Sequence, residues 1–331
     1  MTKSLMIAGF LAAMPLAALA DEKPVLTIYT YDSFTAEWGP GPAVEKAFEA
    51  TCGCDLQYVT SGDAAALLSR VLLEGKDTKA DVVLGLDTNL TEQARQSGLF
   101  APHAVVAASY DLPVAWGDAV FVPYDWGYFA FVYDKTKLKS VPTSFEELAK
   151  SDIKIVIEDP RSASPGLGLL MWVKAAYGDR AADIWSGLAD NIVTVTPGWS
   201  EAYGLFLKGE ADMVLSYTTS PAYHIFAEKD DTKAAAAFSE GHYLQIEVAA
   251  KTATTKQDAL ADQFLAFMTG PEFQALIPET NWMYPVTTPK DGLPTEFQGL
   301  LTPARSLILP SAEAAGLREK ATEEWRAALS Q

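Results

Sequence analysis

Short β-prone runs and stretches with apolar residues at helical spacing alternate along the chain. Leu26-Thr27-Ile28-Tyr29 reads as a strand, Ala43 to Ala50 as a helix, and Leu56 to Val59 as a strand. Ala64 to Leu73 repeats apolar residues three and four apart, which is one face of a helix. Ala80 to Leu84 is a further strand, and a helix is expected from Thr91 to Gln96. A second series starts after Phe129-Ala130-Phe131-Val132-Tyr133. Ser144-Phe145-Glu146-Glu147 reads as a capping box that opens a helix. Strands follow at Ile153 to Ile157, Ile192 to Thr196 and Met213 to Ser216, with helices at Leu167 to Tyr177 and Ala181 to Leu188. The alternating run Tyr243 to Val248 is a returning strand. Strands that alternate with helices predict a largely parallel sheet covered by helices. Two such series and a returning strand predict two lobes that exchange chain segments.

The first twenty residues stand apart from this pattern. Lys3, an apolar run from Leu5 to Leu19, and Ala18-Leu19-Ala20 before Asp21 form a secretory signal peptide with cleavage expected after Ala20. The run is shorter than the roughly 20 residues of a spanning helix. The mature chain is expected to be exported.

Export changes how the two cysteines read. Cys52-Gly53-Cys54 can meet the Cα separation of a disulfide, and an exported compartment favours oxidation. A local disulfide is expected.

Composition narrows the function classes. The chain has 331 residues, a length that suggests about two domains. With 8 Trp, 13 Tyr and 15 Phe it has enough aromatic mass to exclude a disordered chain. Its net charge of −18 argues against nucleic acid and against an anionic membrane surface. The chain has no nucleophile elbow, no H-E-x-x-H, no P-loop, and no dinucleotide-binding glycine motif between a strand and a helix. Its three His lack metal-ligand spacing. These absences favour a binding protein over an enzyme, with no catalytic residues, metal or cofactor.

In open α/β sheets ligands sit beyond the carboxyl ends of strands, beside helix N-termini. Four junctions here carry cap residues. Asp63 is expected to cap the helix that begins at Ala64. Ser164 precedes Pro165, which suits the first helical position. Ser200 follows Trp199, and Tyr217-Thr218-Thr219-Ser220 leads to Pro221. Free helix N–H groups suit phosphate, and aromatic faces suit a flat or cationic group. With Tyr31, Asp32 and Asp63 these junctions predict a cleft for a small aromatic cation that can carry phosphate. Trp282 stands as an aromatic wall or a packing residue, and Trp126 and Tyr128 as packing or hinge residues.

The residues Tyr31-Asp32-Ser33-Phe34, Trp38-Gly39-Pro40-Gly41-Pro42, Lys79 to Asp87, Gly127 to Asp134, Gly198 to Glu210, Leu215 to His224 and Asn281 to Pro285 carry a further message. In these blocks the chain closely resembles the periplasmic thiamine-binding proteins of bacterial ABC importers. The resemblance implies a type II periplasmic binding fold, α/β and two-lobed, closing on thiamine, thiamine monophosphate or thiamine diphosphate. It implies one lobe from 21–128 plus 245–290, another from 129–244 plus 291–331, and a hinge near Phe129 and Ile246. Contacts implied are Asp63 with Ala64, Ala163 with Ser164, Trp199, and the run Tyr217, Thr218, Thr219 and Ser220. Tyr31, Tyr223 and Trp282 are implied as walls. Asp63-Ala64 and Ala163-Ser164 depart from the family's Asp-Gly and Ser-Thr, so a hydroxyl contact at Ala163 is lost while backbone contacts survive. The implied partners are the permease and ATPase of an importer, met by a monomer. A polyamine or ferric ion on the same fold is the alternative. Ferric binders of this fold typically use adjacent tyrosines, and this chain has no Tyr-Tyr pair.

Overall fold

The computed structural model describes residues 23–106 and 109–330. The expected signal peptide therefore lies outside the described residues. In chain order the elements open with β1 (Val25–Thr30), α1 (Asp32–Thr35), α2 (Gly41–Cys52), β2 (Asp55–Thr60), α3 (Ala64–Glu74), β3 (Val82–Asp87), α4 (Thr91–Gln96) and the long β4 (Val122–Asp134). They continue with α5 (Phe145–Ala149), β5 (Ile155–Glu158), α6 (Ser164–Tyr177), α7 (Ala181–Leu188), β6 (Ile192–Thr196), α8 (Trp199–Leu207), β7 (Met213–Tyr217), α9 (Pro221–Tyr223), β8 (Lys233–Ala235) and β9 (His242–Lys251). The chain closes with α10 (Asp258–Met268), α11 (Pro271–Thr280), β10 (Tyr284–Pro285), β11 (Ser306–Leu307) and α12 (Ser311–Leu329).

The main sheet runs β2-β1-β3-β9-β4-β7-β5-β6. Its two ends are parallel triplets: β1 pairs β2 and β3 in parallel, and β5 does the same with β6 and β7. The middle departs from the expected parallel pattern. There β9 and β4 run antiparallel to each other and to their outer neighbours. β4 changes partner along its length. Its residues up to Tyr128 pair β9, and those from Phe129 pair β7. Strands twist relative to their neighbours, so a strand of 13 residues can serve two differently oriented sheets.

Local chemistry sets the element boundaries. α2 ends at Gly53 with φ 64°, the left-handed conformation that glycine adopts without a Cβ penalty. Cys52 and Cys54 are disulfide-bonded across that turn, with Cα atoms 5.2 Å apart. At α5, Ser144 Oγ accepts the Glu147 N–H as a capping box requires. Glu147 returns to Thr143, one residue earlier than expected, because the Thr143 N–H and hydroxyl both donate to it.

α6 is buried from Ser164 through Lys174 and is the central helix of the larger core. A helix apolar all round belongs in an interior, and each fully buried Leu or Met side chain contributes roughly 1.5–3 kcal/mol. It approaches β4 closely. A Cβ on Gly168 would lie 1.9 Å from the Phe129 ring, so Gly166-Leu167-Gly168 is a close-packing segment. α12 packs on α6 and α7. Among the described residues no helix is long and apolar enough to cross a membrane.

Candidate functional site

A cavity of about 320 Å³ opens at the carboxyl ends of the strands. Eight of the expected residues line it: Tyr31, Asp63, Ser164, Trp199, Tyr217, Ser220, Tyr223 and Trp282. β1 delivers Tyr31, whose buried ring lies over Gly85. A Cβ there would sit 2.2 Å from the ring, so only glycine lets the tyrosine in.

Asp63 caps α3 as expected. Its Oδ1 accepts the Ala64 N–H at 2.7 Å. The same atom accepts the Ser164 N–H at 3.2 Å, and the Trp199 N–H faces the carboxylate too. The expected serine caps are displaced by one or two positions. Ala163 is the N-cap of α6, with Ser164 and Pro165 inside the first turn. Gly198 is the N-cap of α8, which places Trp199 and Ser200 in its first turn. Ser220 precedes α9 without a side-chain cap bond. The hydroxyls are committed elsewhere: Ser164 Oγ donates to Asp87, and Ser220 Oγ bonds Ser216 Oγ at 2.7 Å. With its own serine turned away, α6 takes its cap from Asp63.

Aromatic rings form the walls. Trp199 donates from Nε1 to Ser216 Oγ at 2.8 Å and lies 6.1 Å from Trp38 across the mouth. Trp282 meets Tyr223 edge-on at 5.3 Å. Its φ of 56° is the left-handed region, where a bulky side chain is strained, and such strain concentrates at ligand sites. Tyr217 OH donates to Gln245 Oε1 at 2.9 Å.

Five expected residues do not line the cavity. Asp32 is exposed and its Oδ1 accepts the Gly62 N–H, so it braces a turn. Ala64 and Ala163 are buried behind the helix starts. Thr218 and Thr219 are fully buried. The Thr218 N–H donates to the Tyr128 carbonyl, and the Thr219 hydroxyl faces Met283. The cavity also draws in residues that sequence reasoning missed, among them Trp38, Tyr203, Glu247, Asn281 and Met283. Glu247 left a signal: it is a carboxylate inside the apolar returning strand.

The electrostatics are one-sided. Among the described residues no Lys, Arg or His lines the cavity, while Asp63 and Glu247 do. Burial raises the Asp63 carboxyl to about 6, against the pull of its N–H donors. Burial and the neighbouring Asp125 push Glu247 well above the usual carboxylate range. Asp125 itself is pushed up to about 8 by burial. Carboxyls raised in this way ionise more readily beside a cation. Beside the cavity, His224, Glu228 and Asp230 are close enough to hold a metal. Both ring nitrogens of His224 are engaged, by Tyr203 and Glu228.

A two-ended α/β sheet with a ligand-sized cavity between its halves is the architecture of a solute-binding protein. The profile of the bacterial extracellular solute-binding proteins matches residues 35–275, and the chain belongs to that family. It is 57% identical over 310 residues to the thiamine-binding periplasmic protein of Escherichia coli (strain K12), covering 93% of this chain and 94% of the relative. It is 54% identical over 329 residues to the protein of the same name from Brucella abortus biovar 1, covering 99% and 98%. Among solved structures, a periplasmic thiamin binding protein superposes with a TM-score of 0.91 at 56% identity, covering 93% of this chain and 97% of that one. A ferric binding protein from Campylobacter jejuni superposes with a TM-score of 0.75 at 22% identity, covering 92% and 99%, a likeness of fold alone.

Proposed function

We propose that the protein captures thiamine and its mono- and diphosphate esters in the periplasm and delivers them to the permease and ATPase of an ABC importer. It is a carrier, not an enzyme, and needs no cofactor. One observation carries the reading: an aromatic-walled cavity supplies two carboxylates and helix N-termini but no cationic side chain among the described residues. Thiazolium carries a fixed positive charge, which ring faces attract by about 0.5–2 kcal/mol per contact. The N–H groups of α6 and α8 that follow those of Ser164 and Trp199, which Asp63 engages, suit a phosphate on the ligand's other end.

In this reading Tyr31, Tyr223 and Trp282 hold the rings, and Asp63, Ser164, Trp199, Tyr217 and Ser220 form the opposite end. Lobes of 21–128 plus 245–290 and 129–244 plus 291–331 close about a hinge near Phe129 and Ile246. The partner switch of β4 at Phe129 supports that division. The packing of α12 on α6 and α7 supports placing the C-terminus with the second lobe. Export with cleavage after Ala20 and action as a monomer complete the proposal.

Calorimetry of the mature protein with thiamine and both phosphate esters tests it. Binding at micromolar concentrations or tighter is expected. No heat with any of the three, or stabilisation only by spermidine or ferric ion in a melting screen, would overturn it.

A further inference from the structure

Glu247 sits on β9, the central strand of the sheet, and is 8% exposed, with that exposure facing the cavity. Its two oxygens are unequally occupied. Oε2 accepts the hydroxyls of Tyr31, at 3.1 Å, and Tyr124. Oε1 accepts a single bond, from Gln245 Nε2 at 2.7 Å. A carboxylate oxygen accepts about two hydrogen bonds, so Oε2 is filled and Oε1 keeps one site open. The carboxyl cannot easily turn to exchange the two. The Gln245 amide is itself oriented by Tyr217, whose hydroxyl donates to its oxygen at 2.9 Å. Behind the cluster Asn281 donates to Asp125 at 2.6 Å and touches the Tyr31 hydroxyl.

This is a rigid acceptor at a cavity wall, with one open acceptor position and, among the described residues, no basic side chain lining the cavity to fill it. The proposed ligand offers few directional donors to such a position. The thiazolium carries charge without an N–H. The exocyclic amino group of the aminopyrimidine carries two. In the thiamine reading the hydroxyethyl end is assigned to the helix N-termini.

Resting on the thiamine reading, we propose that Glu247 Oε1 accepts the pyrimidine amino group of the ligand and is the residue that selects an amino against an oxo substituent there. An oxo group would bring an acceptor against an acceptor and leave both buried without a donor. Sites built this way reject the mismatched analogue far more strongly than a shape difference would.

The test compares thiamine with oxythiamine, which carries oxo in place of the amino group, by calorimetry on wild type, Glu247→Gln and Asp32→Asn. Wild type is expected to prefer thiamine by on the order of 100-fold or more. Glu247→Gln, whose amide can donate as well as accept, is expected to shrink that ratio at least about tenfold. Asp32→Asn should leave it unchanged. Equal affinity of wild type for the two ligands would overturn the proposal even if the variant fails to fold. So would an unchanged ratio in a folded Glu247→Gln. Wild type that binds neither ligand overturns the thiamine reading itself.

Discussion

The carboxylate of Asp63 caps the helix it precedes and also accepts the N–H of Ser164, 101 positions further along the chain, at 3.2 Å. Ser164 heads α6, on the far side of the central strand pair. One side chain thereby ties the two ends of the sheet together across the cavity. Asp63→Ala removes both caps and is expected to cost about 1–2 kcal/mol. The melting temperature should fall by several degrees, and thiamine affinity by roughly tenfold for each 1.4 kcal/mol lost at the ligand. Asp63→Asn keeps an acceptor and should lose less. Thermal melts and calorimetry on both variants check this, and an Asp63→Ala that matches wild type in both would contradict it.

The same carboxyl makes binding depend on pH. Burial raises it to about 6 from an ordinary 3.8, so the folded protein holds this proton more tightly than the unfolded chain. Its contribution to stability is therefore greatest below about 4 and declines as pH rises to about 6. Cation binding runs the other way, because a positive ligand favours the ionised form. Thiamine affinity should rise between about pH 5 and pH 7, and the rise should flatten in Asp63→Asn. Calorimetric titrations at constant ionic strength across that range measure it.

Close packing of α6 on β4 predicts a large response to one methyl group. Gly168→Ala would place a Cβ 1.9 Å from a Phe129 ring that is itself fully buried. Helix propensity alone would favour alanine by about 1 kcal/mol. Overpacking costs about 1–3 kcal/mol or more, so a lower urea midpoint at unchanged slope is expected. A stabilised variant would show that the ring moves aside freely.

Thiamine should quench tryptophan fluorescence. Trp38, Trp199 and Trp282 line the cavity, whereas Trp325 on α12 lies in the core. Trp199→Phe and Trp282→Phe should each reduce the quenched fraction, and Trp325→Phe should not. Quenching that survives loss of all three cavity tryptophans, Trp38 included, would place the ligand elsewhere.

Reduction of Cys52–Cys54 should matter little. The loop it closes spans three residues, for which the loop-closure entropy is about 1–2 kcal/mol at most. A reductant should lower the melting point by only a few degrees and leave ligand affinity unchanged. Paired melts and titrations with and without reductant test both halves.

Much of this protein was legible in the chain itself. α4, α7 and β6 fall where the apolar spacing puts them, and Asp63 caps α3. These depend on neighbours within a few residues, where periodicity and cap chemistry act. The positions that went astray depend on distant partners. Ser164 yields its cap role to Asp63 because Asp87 takes its hydroxyl. Asp32, adjacent to a cavity residue, turns outward to Gly62. Glu247 is carried into the wall by a strand that reads as core, and Trp38 reaches Trp199 only once its loop meets the start of α8.

The sequence by itself determined the strand and helix series, the aromatic and acidic character of the cleft, and the disulfide, because each follows from local spacing or composition. Tertiary structure alone decided which carboxylates face the cavity. The antiparallel β9–β4 pair at the centre of the sheet brings Glu247 beside Tyr31 and Tyr124, 216 and 123 residues away. No local rule encodes that pairing. It is set by how the two halves of the sheet share their middle strands.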